Sequence, residues 1–247
     1  LERRAQIGGT WDLFRYPGVR SDSSIYSLSF PWEPWTRKED VADGTDIREY
    51  LAETAHKYGI DAHVRFGSHV QSADWDTATD TWTVRAIEDG VEQSYRARFV
   101  FFGSGYYSYD QGYTPDFPGL ETFAGILVHP QFWPEDLDYK GKQVVVIGSG
   151  ATAVTLIPAM ADDTAHITML QRSPTYVVSR PAQDSVADWM RARLPMKLAY
   201  AITRWKNVLL QMLFFNIARK KPEKTKERLL GLVREHLGPD YRSEEHT

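Results

Sequence analysis

Gln143-Val144-Val145-Val146-Ile147-Gly148-Ser149-Gly150-Ala151-Thr152-Ala153, followed by a second apolar run that ends at Arg172-Ser173, decides the fold. Its first residues are β-branched and apolar, which reads as a buried parallel strand passing straight into a glycine turn and a helix start. In the pattern G-x-G-x-x-A, Gly148 lets the chain turn tightly and Gly150 lets the backbone approach a pyrophosphate. Ala153 stands where helix and strand pack closely. The phosphates are expected on free N–H groups at the positive end of a helix over 151–161. A second strand over 167–171 then ends at Arg172-Ser173, where an NAD-binding fold normally places an acid. A carboxylate there would hold two ribose hydroxyls and repel a 2′-phosphate, whereas a guanidinium clamps that phosphate through two hydrogen bonds. The unit reads as NADPH-binding; the alternative is an ordinary βαβ unit with Arg172 solvated.

The 247 residues can hold one large or two modest domains, and 42% hydrophobic content is enough for real cores. A net charge of −4 gives no electrostatic case for nucleic acid. The chain has no cysteine, which removes disulfides, thiolate metal sites and thiol redox chemistry, and no metal site is expected. Without a recognisable leader, a cytoplasmic protein or one peripheral to a membrane is expected. The longest greasy run, 208–218, contains Gln211 and Asn216 and is too short to span a bilayer. Both ends read as cut. Arg242-Ser243-Glu244-Glu245-His246-Thr247 matches the translation of a sequencing adapter and is expected to be a non-native tail.

Near the start, Glu2 and then Gly8-Gly9-Thr10-Trp11-Asp12 read as the second half of another nucleotide unit, with Glu2 at a strand end. An acid there suits a non-phosphorylated ribose such as that of FAD; the alternative is a plain surface acid. Arg15-Tyr16-Pro17-Gly18-Val19-Arg20-Ser21-Asp22, with Tyr26, Phe30, Trp32 and Trp35, is either a loop around a flat ring system or a packed surface loop. An amphipathic helix is expected over 46–58, with Ile47, Tyr50, Leu51, Thr54 and Tyr58 on one face and Gly59 as its stop. Alternation over 63–102, with turns at Thr77-Ala78-Thr79-Asp80 and Asp89-Gly90, predicts a β-meander returning into a core strand at 99–102. Gly103-Ser104-Gly105 follows, either a cofactor approach or an ordinary tight turn.

Phe123, Gly125, His129 and Trp133 have the spacing F-x-G-x-x-x-H-x-x-x-W. With 11 Phe, 17 Gly, 7 His and 8 Trp, such a match arises by chance in roughly one chain in a thousand, so it is the most specific signal present. His129 lies between two expected domains, a position that favours coupling them over direct chemistry; a satisfied core or linker histidine is the alternative. After Ser173-Pro174 the pattern turns helical, with helices expected over 184–193, 196–220 and 223–236. Trp189, Met190, Leu194, Leu198, Tyr200, Ile202, Trp205, Leu209, Met212 and Phe215 could line a substrate passage, but most are expected in the core. The basic residues Arg219, Lys220, Lys221, Lys224 and Arg228 read as a solvated helix face.

F-x-G-x-x-x-H-x-x-x-W-P ahead of G-x-G-x-x-A, and Gly-Gly-Thr-Trp ahead of Arg-Tyr-Pro-Gly-x-Arg-Ser-Asp, resemble the class B flavoprotein monooxygenases. The family comprises the Baeyer–Villiger enzymes and their N- and S-oxygenating relatives. The resemblance implies a truncated α/β flavoprotein with two Rossmann-like dinucleotide domains, for FAD and NADPH, a β-meander and a helical insertion. The corresponding plan is a partial FAD domain over 1–138 containing the fingerprint 123–134, an NADPH unit over 139–181, a helical insertion over 182–241 and the tail 242–247. It implies insertion of one oxygen atom from O2 into a ketone, or onto sulfur or nitrogen, through a C4a-peroxyflavin. The implied substrates are small hydrophobic ketones, thioethers, thioamides or amines.

Carried over by motif, Glu2, Thr10, Trp11, Asp12, Asp22, Tyr26 and Val70 would meet FAD. Arg20, Ser21 and Asp22 would meet the nicotinamide half of NADPH. Gly148, Ser149, Gly150, Ala151, Thr152, Ala153, Val154 and Thr155 would hold the pyrophosphate, and Arg172 and Ser173 the 2′-phosphate. Asp22 would be the catalytic partner of a downstream Arg missing from this chain, and His129 the domain-coupling residue. That missing Arg, with the absent first glycine loop, makes the fragment itself expectedly inactive. Two other readings stay open: a flavin-dependent NADPH oxidase or reductase without productive oxygenation, and a non-catalytic NADP(H)-binding module.

Overall fold

The computed structural model describes residues 1–173, 176–177 and 181–238. In chain order the helices are α1 (Thr10–Leu13), α2 (Ile25–Leu28), α3 (Gly44–Lys57), α4 (Ala151–Met160), α5 (Ser185–Arg191), α6 (Met196–Lys220) and α7 (Pro222–Leu237). The strands are β1 (His69–Asp76), β2 (Thr81–Glu88), β3 (Val91–Ala97), β4 (Gln143–Ile147) and β5 (His166–Leu170). The chain divides into two compact units. The first is Leu1–Arg15 with Gly44–Pro134, and the second is Tyr16–Asp43 with Glu135–Thr247. The tail expected at 242–247 lies outside the described residues.

In the first unit, α3 buries Ile47, Tyr50, Thr54 and Ala55, the stripe its 3–4 spacing requires. It begins two residues before the expected start and stops where Gly59 takes φ +65. There the Ile60 N–H reaches back to Ala55 O at 2.8 Å, a left-handed cap that only glycine forms cheaply. Tyr58, expected on the buried stripe, is exposed. The meander is an antiparallel sheet in the order β1-β2-β3. Its second hairpin turns on Asp89-Gly90, both at positive φ (49° and 79°), the twist that a two-residue loop needs. Val84 and Ala86 of β2 are buried.

The expected return strand is not found. Phe99, Phe101 and Phe102 are 79%, 84% and 65% exposed, and the segment has no ladder partner among the described residues. A solid apolar run becomes a strand only when flanking strands take its backbone groups and layers cover both faces.

The second unit is built on β4 and β5, which pair in parallel from Gln143↔His166 to Ile147↔Leu170. Half-buried Val144, Val146, Ile167 and Met169 alternate with exposed Val145, Ile147 and Leu170, so the sheet is covered on one face only. The predicted fully buried strand thus has one bare side. Helix α4 ends at Met160, one residue early, and carries Pro158, which lacks the N–H that would bond Val154 O.

The 16–43 segment folds with this unit. Tyr16 is buried, Trp35 is fully buried with its indole N–H on Glu39 O (3.0 Å), and Phe30 stacks on Trp32 at 4.9 Å. Within the cluster Trp35 and Tyr26 are buried while Trp32 is exposed. Asp184 caps α5 by accepting the N–H groups of Val186 and Ala187, both at 3.1 Å, and its carboxylate also pairs with Lys206.

Helix α6 reverses ordinary amphipathicity. It buries Ala199, Tyr200, Thr203 and Asn207 and exposes Leu198, Ile202, Trp205, Leu209 and Met212. Of the apolar residues expected in the core of this region, Met190 and Tyr200 are buried. The reason is that the segment α6 packs on offers backbone carbonyls and hydroxyls, so hydrogen-bonding side chains face inward. No described helix is long and apolar enough to cross a membrane.

Candidate functional site

The glycine turn after β4 is the focus of the second unit. Gly148 has φ +132, a conformation that favours glycine, and its N–H donates to Leu170 O at 2.8 Å. That bond brings the end of β5 beside the turn. A Cβ built on Gly148 or on Gly150 would meet nothing within 4 Å, so space is open over both residues. Gly150 is the N-cap of α4 without a side-chain cap, and the first intrahelical bond there runs from the Val154 N–H to Gly150 O (3.1 Å). The N–H groups of Ala151, Thr152 and Ala153 precede that bond and have no i−4 carbonyl inside the helix to take them. Open space over the turn with amide donors at the positive end of a ten-residue helix fits a pyrophosphate.

Arg172 and Ser173 follow β5 directly and are exposed. The Arg172 guanidinium has no hydrogen bond or ion pair among the described residues. An exposed guanidinium two residues beyond the bond that ties β5 to the turn has the chemistry of a phosphate clamp.

Other members of the predicted set have different surroundings. Ala153 is buried, as its packing role requires. Thr155 is buried, with its hydroxyl on Ala151 O and Thr152 O (both 3.1 Å) and 3.4 Å from the Tyr16 hydroxyl. Its hydroxyl thus serves α4 and the loop that carries Tyr16. Val154 is half-buried, and Ser149 lies half-buried in the turn.

Gly18, part of the Arg15–Asp22 loop, has φ +76 and lies against α4. A Cβ there would stand 2.6 Å from Thr155 O and 2.7 Å from Ala159 Cβ. That close approach holds the loop carrying Arg20, Ser21 and Asp22 on the glycine-turn helix. Arg20 is exposed and forms an antiparallel bridge with Asp43. Ser21 is buried: its N–H donates to Ala42 O (2.9 Å) and its hydroxyl to Ser23 O (2.8 Å). Asp22 stands exposed at the apex, accepting from the Ser23 hydroxyl at 3.0 Å.

Tyr26, carried over by motif to the flavin, is enclosed within the second unit. It is 1% exposed, its hydroxyl has no partner among the described residues, and the Arg191 guanidinium lies 5.9 Å from its ring. Burial pushes that hydroxyl up to about 12, partly opposed by Arg191, so it stays protonated.

Glu2, Thr10, Trp11, Asp12, Val70 and His129 belong to the first unit. Glu2 is at no strand end. Its carboxylate accepts the Arg4 N–H (2.8 Å), its own N–H donates to Arg65 O (2.8 Å), and its carbonyl accepts from Ser68 (2.9 Å). Thr10 and Trp11 are half-buried in the single turn α1. Val70 is 40% exposed on β1, paired with Ala86 just before a bulge at Gln71. His129 caps the short turn Pro130–Phe132 by accepting the Gln131 N–H at 3.2 Å. Its ring also covers Gly112, where any Cβ would fall 2.2 Å from a ring carbon. These contacts are with residues of its own unit. The fingerprint glycine, Gly125, similarly packs on the Phe123 ring.

Asp12 was assigned to the cofactor by motif, and its carboxylate is instead enclosed by protein donors. It is 2% exposed, binds Arg4 (2.5 Å), Arg15 (2.5 Å) and Gln6, and has Arg48 at 3.7 Å. Burial alone would raise its pKa, but the bonds from Arg4 and Gln6 and the charges of Arg4 and Arg15 prevail and hold it below the usual carboxylate value. A depressed folded pKa means stabilisation that is complete above the unfolded value and lost as pH falls through the folded one. Asp12→Ala should therefore lower stability by about 1 to 3 kcal/mol at neutral pH, since it removes the buried acceptor that partly exposed Arg4, Arg15 and Arg48 share, and should flatten the acid limb of the wild-type stability curve. Urea unfolding from neutral to acid pH checks both; identical curves would refute the role. The sequence signal for this cluster was the density of Arg around one acid, which no dinucleotide motif contains.

The sequence profile of the flavin-binding monooxygenase-like family matches residues 34–229. The chain is 52% identical, over 252 aligned positions, to the FAD-containing monooxygenase EthA of Mycobacterium tuberculosis, covering 98% of this chain and 52% of that protein. It thus spans about half the length of the curated relatives it matches. Among solved structures, steroid monooxygenase bound to NADP is 35% identical, with TM-score 0.66, over 81% of this chain and 37% of the other. Cyclohexanone monooxygenase from Rhodococcus sp. Phi1 bound to NADP+ is 33% identical, with TM-score 0.64, over 77% and 36%. Both neighbours are monooxygenases solved with NADP, and the glycine turn with α4, α5 and α6 falls inside the matched span 34–229. The chain therefore belongs to the flavin-binding monooxygenase-like family.

Proposed function

We propose that the full-length protein is an FAD- and NADPH-dependent monooxygenase that transfers one oxygen atom from O2 to a small hydrophobic ketone, thioether, thioamide or amine. The balance is substrate, O2, NADPH and a proton to oxygenated product, water and NADP+. The observation that carries this reading is the open glycine turn at the head of α4, tied by the Gly148 N–H to Leu170 O two residues before exposed Arg172, whose guanidinium has no partner among the described residues. FAD, when bound, supplies the electron transfer and the activation of oxygen; the protein supplies position and charge.

In this reading the turn 148–150 and the first N–H groups of α4 hold the pyrophosphate, while Arg172 and Ser173 select the 2′-phosphate. Arg20 and Asp22 orient the nicotinamide half, Gly18 keeps their loop on α4, and Asp22 presents a carboxylate to a cation beyond this chain. Glu2, Thr10, Trp11 and Val70 contribute to the FAD half from the first unit, with Asp12 fixing the arginines around it. The reading includes a cytoplasmic site of action.

The test is full-length protein with and without a thioether or cyclic ketone, in 18O2. A yellow protein that consumes NADPH faster with substrate and labels the product with one 18O supports the proposal. A colourless protein that cannot be reconstituted with FAD would sink it. Substrate-independent NADPH consumption yielding only H2O2 would make the protein an oxidase.

A further inference from the structure

Asp22 sits on a bend whose two sides are held by very different parts of the chain. On one side, the Ser21 N–H bonds Ala42 O, as described above. On the other begins the single turn α2, and α6 grips that turn at both ends. Arg204 donates through one guanidinium nitrogen to Tyr26 O (3.0 Å) and Ser29 O (2.8 Å), the carbonyls at the negative end of α2, and also reaches the Tyr200 hydroxyl (3.2 Å). The Tyr200 hydroxyl in turn lies 3.3 Å from Ser29 O, 3.1 Å from Phe30 O and 2.9 Å from Ser29 Oγ. At the start of the turn, the Asn207 amide donates to Ser24 Oγ (2.8 Å), which itself donates to the buried Asp40 carboxylate. The Ile25 N–H bonds Asp40 O at 2.7 Å.

Tyr200, Arg204 and Asn207 fall at i, i+4 and i+7, one face of a long helix. A helix that turns these polar groups inward while leaving Leu198, Ile202, Trp205, Leu209 and Met212 exposed is using that face for registration as well as for packing.

We propose that Arg204, with Tyr200 and Asn207, is a positioning residue for Asp22: it locks α2 to α6 and so fixes where the Asp22 carboxylate is presented to the nicotinamide. This rests on the monooxygenase reading, and specifically on a working role for Asp22. Misplacing a reacting or orienting group by about 1 Å costs up to about 100-fold in rate, so the effect should be visible in turnover before it is visible in folding.

The experiment uses the full-length enzyme as wild type, Asp22→Asn, Arg204→Met, Arg204→Lys, Tyr200→Phe and the double variant Asp22→Asn/Arg204→Met. It measures kcat, the KM for NADPH, the share of NADPH that ends as H2O2, and flavin content. Arg204→Met should lower kcat/KM for NADPH about 10- to 100-fold and raise the H2O2 share, with flavin content unchanged. Arg204→Lys, which still presents a cation to the same carbonyls, should recover most of that loss. The double variant should be no worse than Asp22→Asn, because both changes remove the same placement. Should Arg204→Met fail to fold, Tyr200→Phe keeps the ring, removes the hydroxyl and should shift the H2O2 share in the same direction.

If Asp22→Asn is silent, the role of Asp22 falls and the proposal falls with it. If Asp22→Asn uncouples the enzyme while the Arg204 and Tyr200 variants do not, or if the double variant loses the product of both effects, the proposal alone is overturned.

Discussion

Arg172→Ala in the full-length protein should weaken NADPH by ~1.5 to 3 kcal/mol, the range for hydrogen bonds to a charged group, and leave NADH almost unchanged. In equilibrium terms that is about 10- to 150-fold for one coenzyme only. The basis is local. Arg172 follows β5, β5 is tied to the glycine turn through the bond from the Gly148 N–H to Leu170 O, and the guanidinium is unengaged among the described residues. Removing it therefore breaks no described contact of the folded chain, and the whole effect should fall on ligand binding. Titration of both coenzymes against the variant, with the wild type as control, reads it directly. Equal loss for NADPH and NADH would assign Arg172 to the shared part of the two molecules and end the 2′-phosphate reading.

Gly18→Ala should be the most damaging single-methyl change in the second unit. The new Cβ would be 2.6 Å from Thr155 O and 2.7 Å from Ala159 Cβ, in a backbone at φ +76. A left-handed conformation costs a non-glycine residue about 1 to 2 kcal/mol, and forcing a methyl into a filled contact costs a further ~1 to 3 kcal/mol. The loop can relieve this only by lifting from α4, which carries Arg20 and Asp22 away from the glycine turn. The expected result is a lower melting midpoint together with weaker NADP+ binding. An unchanged midpoint would mean that α4 and the loop are not held by this contact. Gly18→Ala combined with Ala159→Gly should recover part of the loss, because one of the two clashes is then gone.

These two residues show what the sequence could and could not convey. The strand, glycine turn, helix and second strand of the coenzyme unit were legible because each has a local cause: β-branched runs, glycines at fixed offsets and an apolar helix face. The bounds of β4 and α6 fall where the pattern put them, and the Asp89-Gly90 turn follows from the demand for positive φ at both central positions. Side-chain environments that depend on distant partners were not legible. Gly18 reads as half of a Pro-Gly turn, and its tight seat on α4 depends on residues more than a hundred positions later. Tyr26 has the chemistry of a ring-stacking residue, but it is covered by the elements packed on α2. The aromatic residues 99–102 read as a core strand because a solid apolar run carries no information about whether its neighbours are present. On α6, apolar spacing predicted the helix and the burial of Tyr200 but not the outward facing of Leu198, Ile202, Trp205, Leu209 and Met212, since Arg204 and Asn207 have partners that only the fold brings to them.

The outward stripe of α6 has a practical consequence for anyone handling this polypeptide. Leu198, Ile202, Trp205, Leu209 and Met212 recur at alternating four- and three-residue steps, the seam along which helices adhere to one another. In water at millimolar protein the chain should self-associate, bind apolar dyes and scatter light. Exchanging these side chains for Glu or Gln should restore clarity without touching any of the hydrogen bonds that lash the opposite flank of the rod to its neighbours.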